Sequence, residues 1–496
     1  MNPSGKVTIA GSDDDEIDDE NDDENDDDNS EVDEMTDLDT WQTPFLQGLM
    51  APVSEERDDV DLEVVGEIPA SLRGMFVRTG PNQQFAPLGA YHPFDGDGML
   101  HAVYLQDGTA RYRNRWVESK GLLAERERGH ACYGGMGTFH LTDAEVAAEV
   151  GMMKNTANTA MVRHAGHLFS ILESGPPTEF DRDLNTLGEY DFDGRLRGPM
   201  TAHPKVDPVT GDMLFFGYSP MAPYLRYSEV DAAGELVHST EIDIPAPVMM
   251  HDFVITENYA IFLDAPAVFD LDAIMKGGDP LTWKPDNGTR IGIIPRGGSN
   301  ADVRWFEVDN GYVVHFFNAW ESGTTIEIRA PRMEDMPGGF SFNDPGAARE
   351  PMPWRWVIDL ASGKVTDGQT DDLAGEFPRI NEHLTGRQTR YGYACPQRTW
   401  DFEFDFEGVL KYDFESATSQ AHYYGASEVG GEHVFAADPA GTAEDDGWLM
   451  SFVTDRATEQ SELVILDARD VAAEPVARIK MAARVPIGFH ANWFAD

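Results

Sequence analysis

Cysteine is nearly missing from this chain of 496 residues, with Cys132 and Cys395 the only two. Two thiols cannot build a disulfide framework, and their spacing matches no thiolate metal motif, so any bound metal must be held by nitrogen or oxygen. Long apolar runs are missing as well. No stretch approaches the roughly 18 uncharged apolar residues of a membrane span, and no apolar signal stretch follows the first charge, so a cytoplasmic protein is expected. Positive charge is scarce: 37 Lys and Arg face 89 Asp and Glu, for a net charge of −52. That balance excludes a duplex-binding protein that works by neutralising phosphates, and no nucleic-acid partner is expected.

What is present is a globular composition, 41% hydrophobic and 25% charged, with ample material for a core. Part of the acid is local, 18 residues of it lying between positions 11 and 40, yet without that stretch and Lys6 the remainder still carries −35. Of the basic residues 9 are Lys and 28 are Arg. An acid-rich, Lys-poor surface resembles that of salt-adapted proteins, in which salt screens the self-repulsion, so a halophilic protein is expected. Residues 1–39 hold almost nothing apolar that could offset the entropy of ordering, and they read as a solvated acidic tail ahead of one domain over 40–496.

From Trp41 onward the texture changes to short apolar runs broken by Gly, Pro, Asp and Asn. Gly74–Thr79, His167–Leu172, Met213–Tyr218, Phe253–Leu263, Tyr312–Asn318 and Trp448–Val453 are rich in β-branched and aromatic residues. Helical periodicity is rare, with Thr142–Met153 the best example, so the chain is expected to be all-β. About 450 residues of short strands exceed a single sandwich. A closed ring of four-stranded blades, each taking roughly 40–50 residues, fits the length with about seven. No repeated Trp-Asp marks the blades, so this reading rests on length and strand density.

The chain has 14 His. Most lie beside loops or on polar edges and need only a hydrogen bond. His203 (TAHPK), His251 (PVMMHDFVI), His315 (GYVVHFFNAW) and His490 (VPIGFHANWF) differ, three of them interrupting apolar runs. A buried imidazole is costly unless both nitrogens find partners, and a backbone carbonyl is the ordinary one. Their separations of 48, 64 and 175 residues are about one blade, a little more than one, and several. The innermost strands of all blades face one axis, so four imidazoles can converge there. Such a set suits Fe, Zn or Cu: six-coordinate iron(II) would keep two positions open, whereas tetrahedral zinc would be closed. Ligating His commonly donates its second N–H to a carboxylate, and Glu173, Glu376 and Glu432 sit in apolar or turn contexts that suit this.

Several further stretches complete a pattern: Pro69–Asn82 (PASLRGMFVRTGPN), Phe94–Leu100 (FDGDGML), Lys154–Thr159 (KNTANT), Glu376–Asn381 (EFPRIN), Glu444–Trp448 (EDDGW) and the terminal GFH. In this combination and order the chain resembles the carotenoid cleavage oxygenases, from about Pro44 to Phe494. The resemblance implies a seven-bladed β-propeller with an axial metal site and a loop-built substrate tunnel. It implies one Fe(2+) per chain on His203, His251, His315 and His490, supported by Glu173, Glu376 and Glu432, with Thr159 beside an open iron position. The implied activity is dioxygenase cleavage of a C=C bond in a carotenoid or apocarotenoid, with O2 as co-substrate and two aldehydes as products. Stilbene cleavage is the alternative. It would use Tyr91 and a Lys for which Lys120 is the candidate, displaced by about one position. Isomerisation is disfavoured by Thr159, and from another class a binding propeller with a structural metal remains. The FDGDGM turn is read as structural, Asp95 and Asp97 bonding turn amides. Any membrane contact is expected to be peripheral, at Gly121–Leu123 and Ala131–Phe139. The oligomeric state is not read.

Overall fold

The computed structural model describes residues 40–136, 140–274, 276, 279–336, 349–399 and 404–496, so the acidic stretch at 1–39 lies outside the described residues. Strands dominate, and they pair antiparallel into seven blades. Five blades run in chain order outward from the axis, and the other two show how the ring shuts. In the first blade the innermost strand is the C-terminal Ala491–Ala495, laid against Gly74–Pro81, which pairs with Gly98–Gln106 and then Thr109–Trp116. In the last blade the outermost strand is N-terminal, Val64–Gly66, on Ala477–Lys480. Both ends of the domain are therefore stitched into a blade begun by the other end, leaving no open edge at the seam.

Seven apolar clusters fill the seven spaces between blades. One joins Phe76 and Val103 to Met450 and Leu463 across the seam, and another joins Met75 and Phe494 to Met161 and Leu168. The apolar runs of the sequence supply these strands because alternate residues on each face meet a neighbouring sheet.

Two runs depart from the expectation. Tyr312–Asn318 is not a strand: apart from a bridge between Tyr312 and Met333, the ladder begins only at Asn318. The Phe316 amide is taken elsewhere, donating to Asp252, while Phe317 N–H already turns to the neighbouring strand at the Arg329 carbonyl. Phe253–Leu263 is two strands, Val254–Ile255 and Tyr259–Asp264. Of two outer helices, Ala144–Val150 falls inside the periodic stretch. The other, Lys120–Arg128, starts on Ser119, whose Oγ accepts from Leu122 N–H, and stops at left-handed Gly129.

The innermost strands line one axial cavity of about 150 Å3, with Ala160, Val206, Ile255, Asn318, Ile380 and Asn492 among its walls. The axis is thus shared by strands from distant parts of the sequence.

Candidate metal centre

Each blade offers one residue at or just before the start of its innermost strand. Thr159 precedes Ala160–His164, His203 precedes Lys205–Val206, and His251 precedes Val254–Ile255. His315 precedes Asn318–Ser322, Glu376 opens Glu376–Arg379, Glu432 precedes Val434–Ala437, and His490 precedes Ala491–Ala495. Glu173 follows the second strand of its blade, His167–Ile171. The ring therefore delivers all of the predicted ligands and carboxylates to one place.

The four imidazoles face one another through Nε2, and each is almost wholly buried or half-buried. Nε2 of His203 and His251 are 2.9 Å apart, those of His251 and His315 3.1 Å, and those of His315 and His490 3.1 Å. On the far side of three rings, Nδ1 meets a carboxylate: His251 with Glu173 at 2.6 Å, His315 with Glu376 at 2.7 Å, His490 with Glu432 at 3.1 Å. A carboxylate only accepts, so Nδ1 carries the proton and Nε2 presents a bare lone pair. Lone pairs aimed at one point repel unless a cation sits between them, so the donor set fits a metal ion. Spacing narrows the geometry: nitrogens ~2.1 Å from an ion are ~3.0 Å apart at right angles and ~3.4 Å apart in a tetrahedron. The measured separations match right angles.

The carboxylates are tuned unequally. Burial lifts Glu376 to about 8 against the pull of the Phe377 amide that donates to it. Burial acts the same way on Glu432, but Arg379 and His490 outweigh it and hold that carboxyl at about 2. Burial, then the neighbouring imidazoles, push His203 and His315 well below the ordinary range. Burial also works to lower His251, but the charge and hydrogen bond of Glu173 win and raise it. Glu173 in turn accepts from the Tyr218 phenol.

Supporting residues that sequence reasoning passed over are Arg379, 3.6 Å from Glu432, and Asp252. Asp252 is buried, pairs with Lys205 at 2.7 Å and accepts from Phe316 N–H at 2.9 Å, tying the segments of three ligands together. Their signal was adjacency, since each lies one or two residues from a His or in the EFPRIN motif. Thr159 is buried, its carbonyl accepting from His490 N–H and its hydroxyl donating to Asn158 Oδ1 at 3.0 Å.

Apolar side chains cover one side of the metal centre. Phe377 lies against His315 and His490, with ring centroids at 5.0 and 4.8 Å. It clusters with Phe404, Phe406 and Phe489, and Phe94 links that cluster to a second one holding Met249, Leu281 and Tyr218.

The two candidate phenol-binding residues are not brought together in this way. Tyr91 is buried beside the FDGDGM turn, its hydroxyl 2.4 Å from where a Cβ on Gly96 would stand. Lys120 opens the outer helix, its ammonium paired with Glu189 on the outermost strand of a blade, so the helix carries it to the rim instead of the axis. The proposed membrane patch is mostly interior: Gly121, Leu122, Ala131, Cys132 and Tyr133 are buried, 137–139 lie outside the described residues, and only Leu123 is well exposed.

A ring of seven blades with four axial histidines and three carboxylates behind them defines a propeller with a metal-binding site on its axis. The chain matches the family profile described as retinal pigment epithelial membrane protein (RPE65) over residues 50–495. It is 33% identical over 490 residues to the carotenoid 9,10(9',10')-cleavage dioxygenase 1 of Phaseolus vulgaris, covering 91% of this chain and 89% of that one. It is 34% identical over 471 residues to isoeugenol monooxygenase of Pseudomonas nitroreducens, covering 91% and 98%. The crystal structure of Pseudomonas brassicacearum lignostilbene dioxygenase superposes with a TM-score of 0.85 at 31% identity, covering 92% of this chain and 99% of that one. The chain belongs to the RPE65 or carotenoid cleavage oxygenase family and is an oxidoreductase of the dioxygenase type.

Proposed function

We propose that the protein is a non-haem iron(II) dioxygenase that cleaves one C=C bond of a carotenoid or apocarotenoid with O2, giving two carbonyl products. The observation that carries this reading is four imidazoles at right-angle spacing beneath a cover of Phe and Met side chains. Iron held by His203, His251, His315 and His490 would supply oxygen activation, four neutral nitrogens leaving two of six positions open. The rest falls to the chain. Phe94, Phe377, Phe404 and Met249 bind and orient a flat apolar polyene and exclude water. The Thr159 hydroxyl is engaged by Asn158, so it brings no free proton to the alkene. Splitting C=C with both atoms of O2 balances without an acid or base.

Cleavage of a stilbene or related phenylpropene is the second reading, favoured by the likeness to lignostilbene dioxygenase and isoeugenol monooxygenase. A phenol needs a polar grip, and Lys120 is committed to Glu189 at the rim, which is why the polyene is preferred. A cytoplasmic setting is part of the proposal, with peripheral membrane contact through exposed Leu123, Leu141, Met152 and Met153. Among the described residues no helix is long and apolar enough to cross a membrane.

The test is to load the protein with iron anaerobically in molar salt, add β-carotene, an apocarotenal or a hydroxystilbene, admit oxygen, and identify aldehydes by mass. Aldehyde from a polyene, lost in His315→Ala, supports the proposal. Cleavage of the stilbene alone replaces it with the second reading, and retained iron without any product leaves a binding role.

A further inference from the structure

The FDGDGM turn holds a carboxylate that the chemistry above does not use. Asp95 is largely enclosed, and among the described residues no salt bridge reaches it: the buried ammonium of Lys154 is engaged by Asp97 and Glu125. Backbone amides hold it instead. Both of its oxygens accept from Met136 N–H at 3.0 Å, and Oδ2 also accepts from His92 N–H at 3.1 Å. The approach to the 131–136 loop is so close that a Cβ on Gly135 would stand 2.1 Å from Oδ2. Burial accordingly raises the Asp95 carboxyl to about 6, with the Met136 and His92 amides opposing.

What the carboxylate joins gives the contact its meaning. Phe94, the preceding residue, packs on Phe489 with ring centroids 5.2 Å apart, directly before the ligand His490. The carbonyls of Phe94 and Gly96 accept from Asn158 Nδ2 at 3.0 and 2.8 Å, and Asn158 also receives the Thr159 hydroxyl. Met136 clusters with Phe94, Met249 and Tyr218, the last bonded to Glu173. Asp95 thus fastens the turn beside the metal centre directly to the backbone of the loop across from it, alongside the packing of Phe94 with Met136 and the chain from Asp97 through Lys154 and Glu125 to Cys132 N–H.

We propose that Asp95 is a positioning residue that sets which double bond is cleaved, by fixing the separation of the Phe94 and Met136 walls between which a polyene lies. This rests on the polyene-cleaving reading. A rigid polyene registers against the metal only through such walls, and a shift of about 1 Å at the reacting carbon can cost roughly a hundredfold in rate. Asp95→Asn keeps the size but turns one acceptor into an NH2 facing amide N–H groups, releasing one of the two segments.

The experiment compares the iron-loaded wild type with Asp95→Asn and Gly135→Ala, using an apocarotenal and identifying every carbonyl product by mass. Bound iron, thermal midpoint and hydrogen exchange at residues 131–136 are measured in parallel. The expected result is unchanged iron, exchange at 131–136 faster by tenfold or more, and products from more than one double bond where the wild type gives one pair. An unchanged product ratio, or unchanged exchange protection in both variants, would overturn the proposal. Should the wild type cleave no polyene, the functional reading fails, and the exchange measurement still decides whether Asp95 fastens the loop.

Discussion

Four imidazoles whose successive Nε2 atoms, from His203 through His251 and His315 to His490, lie 2.9–3.1 Å apart are held there by what stands behind them. Each carboxylate fixes a ring's tautomer and its direction, so removing one should weaken the metal without removing a ligand. Glu376→Gln is expected to lower iron affinity ~10–100-fold, because a carboxamide offers Nδ1–H a weaker acceptor. Titration against a coloured chelator measures this, and an affinity within twofold of the wild type would contradict it. A second consequence concerns histidines outside the centre. Burial lowers His92 and His433 to about 3, far below their unfolded value, so the folded state refuses protons that the unfolded chain accepts. Their contribution is present above pH ~6.5 and is lost as pH falls from ~6.5 toward 3, at up to ~1.4 kcal/mol per pH unit for each. Asp95, raised to about 6, acts oppositely, its contribution being complete below its unfolded value and lost as pH rises toward 6. The histidines held below their ordinary range, His203 and His315 among them, outnumber the raised carboxyls Asp95 and Glu376, so urea midpoints should fall from pH 6.5 to 4.5, and His433→Gln should flatten that fall.

At the scale of elements, what could be read from the sequence depended on whether a local pattern or a distant partner set the structure. Met213–Tyr218 and the stretch from Trp448 are strands because apolar and β-branched side chains meet sheets on both faces. Tyr312–Asn318 shows equal strand character, yet the Asp252 carboxylate, remote in sequence, draws the Phe316 amide off the ladder. Three of the four histidines, His251, His315 and His490, were legible as polar interruptions of apolar runs. The place of Lys120 at the rim was not legible because its helix, capped by Ser119 and Gly129, had no apolar periodicity to announce it, and a helix changes where a side chain points. A closed ring was expected from length, but the strands that close it were not legible, since pairing of Gly74–Pro81 with Ala491–Ala495 has no local sign. It makes the last strand a keystone. Phe494, 3% exposed, packs with Met75 and Met161 between the first two blades, so Phe494→Ala should cost ~3–5 kcal/mol. A urea midpoint unchanged within error would show that the C-terminal strand does not hold the ring.

For the whole molecule the governing quantity is charge. A net −52 on 496 residues, with the acid distributed well beyond the N-terminal stretch, means that the domain carries more carboxylates than cations to pair them. Local pairing helps little, since exposed ion pairs such as Arg195 with Glu235 contribute ~0–1 kcal/mol each. The unpaired remainder repels through solvent, and that repulsion is felt more strongly in the compact ring than in the expanded chain. Screening is the remedy: the range of the field falls from ~10 Å at 0.1 M salt to ~3 Å at 1 M. The protein should therefore gain stability steeply between 0.1 and 1 M KCl, with a Tm higher by roughly 5 °C or more. Sucrose, which favours burial without screening, separates this cause from a general effect on apolar surface. If KCl does no more than sucrose, the acid serves solubility alone; if only KCl raises Tm, the ring depends on salt to hold its own charge.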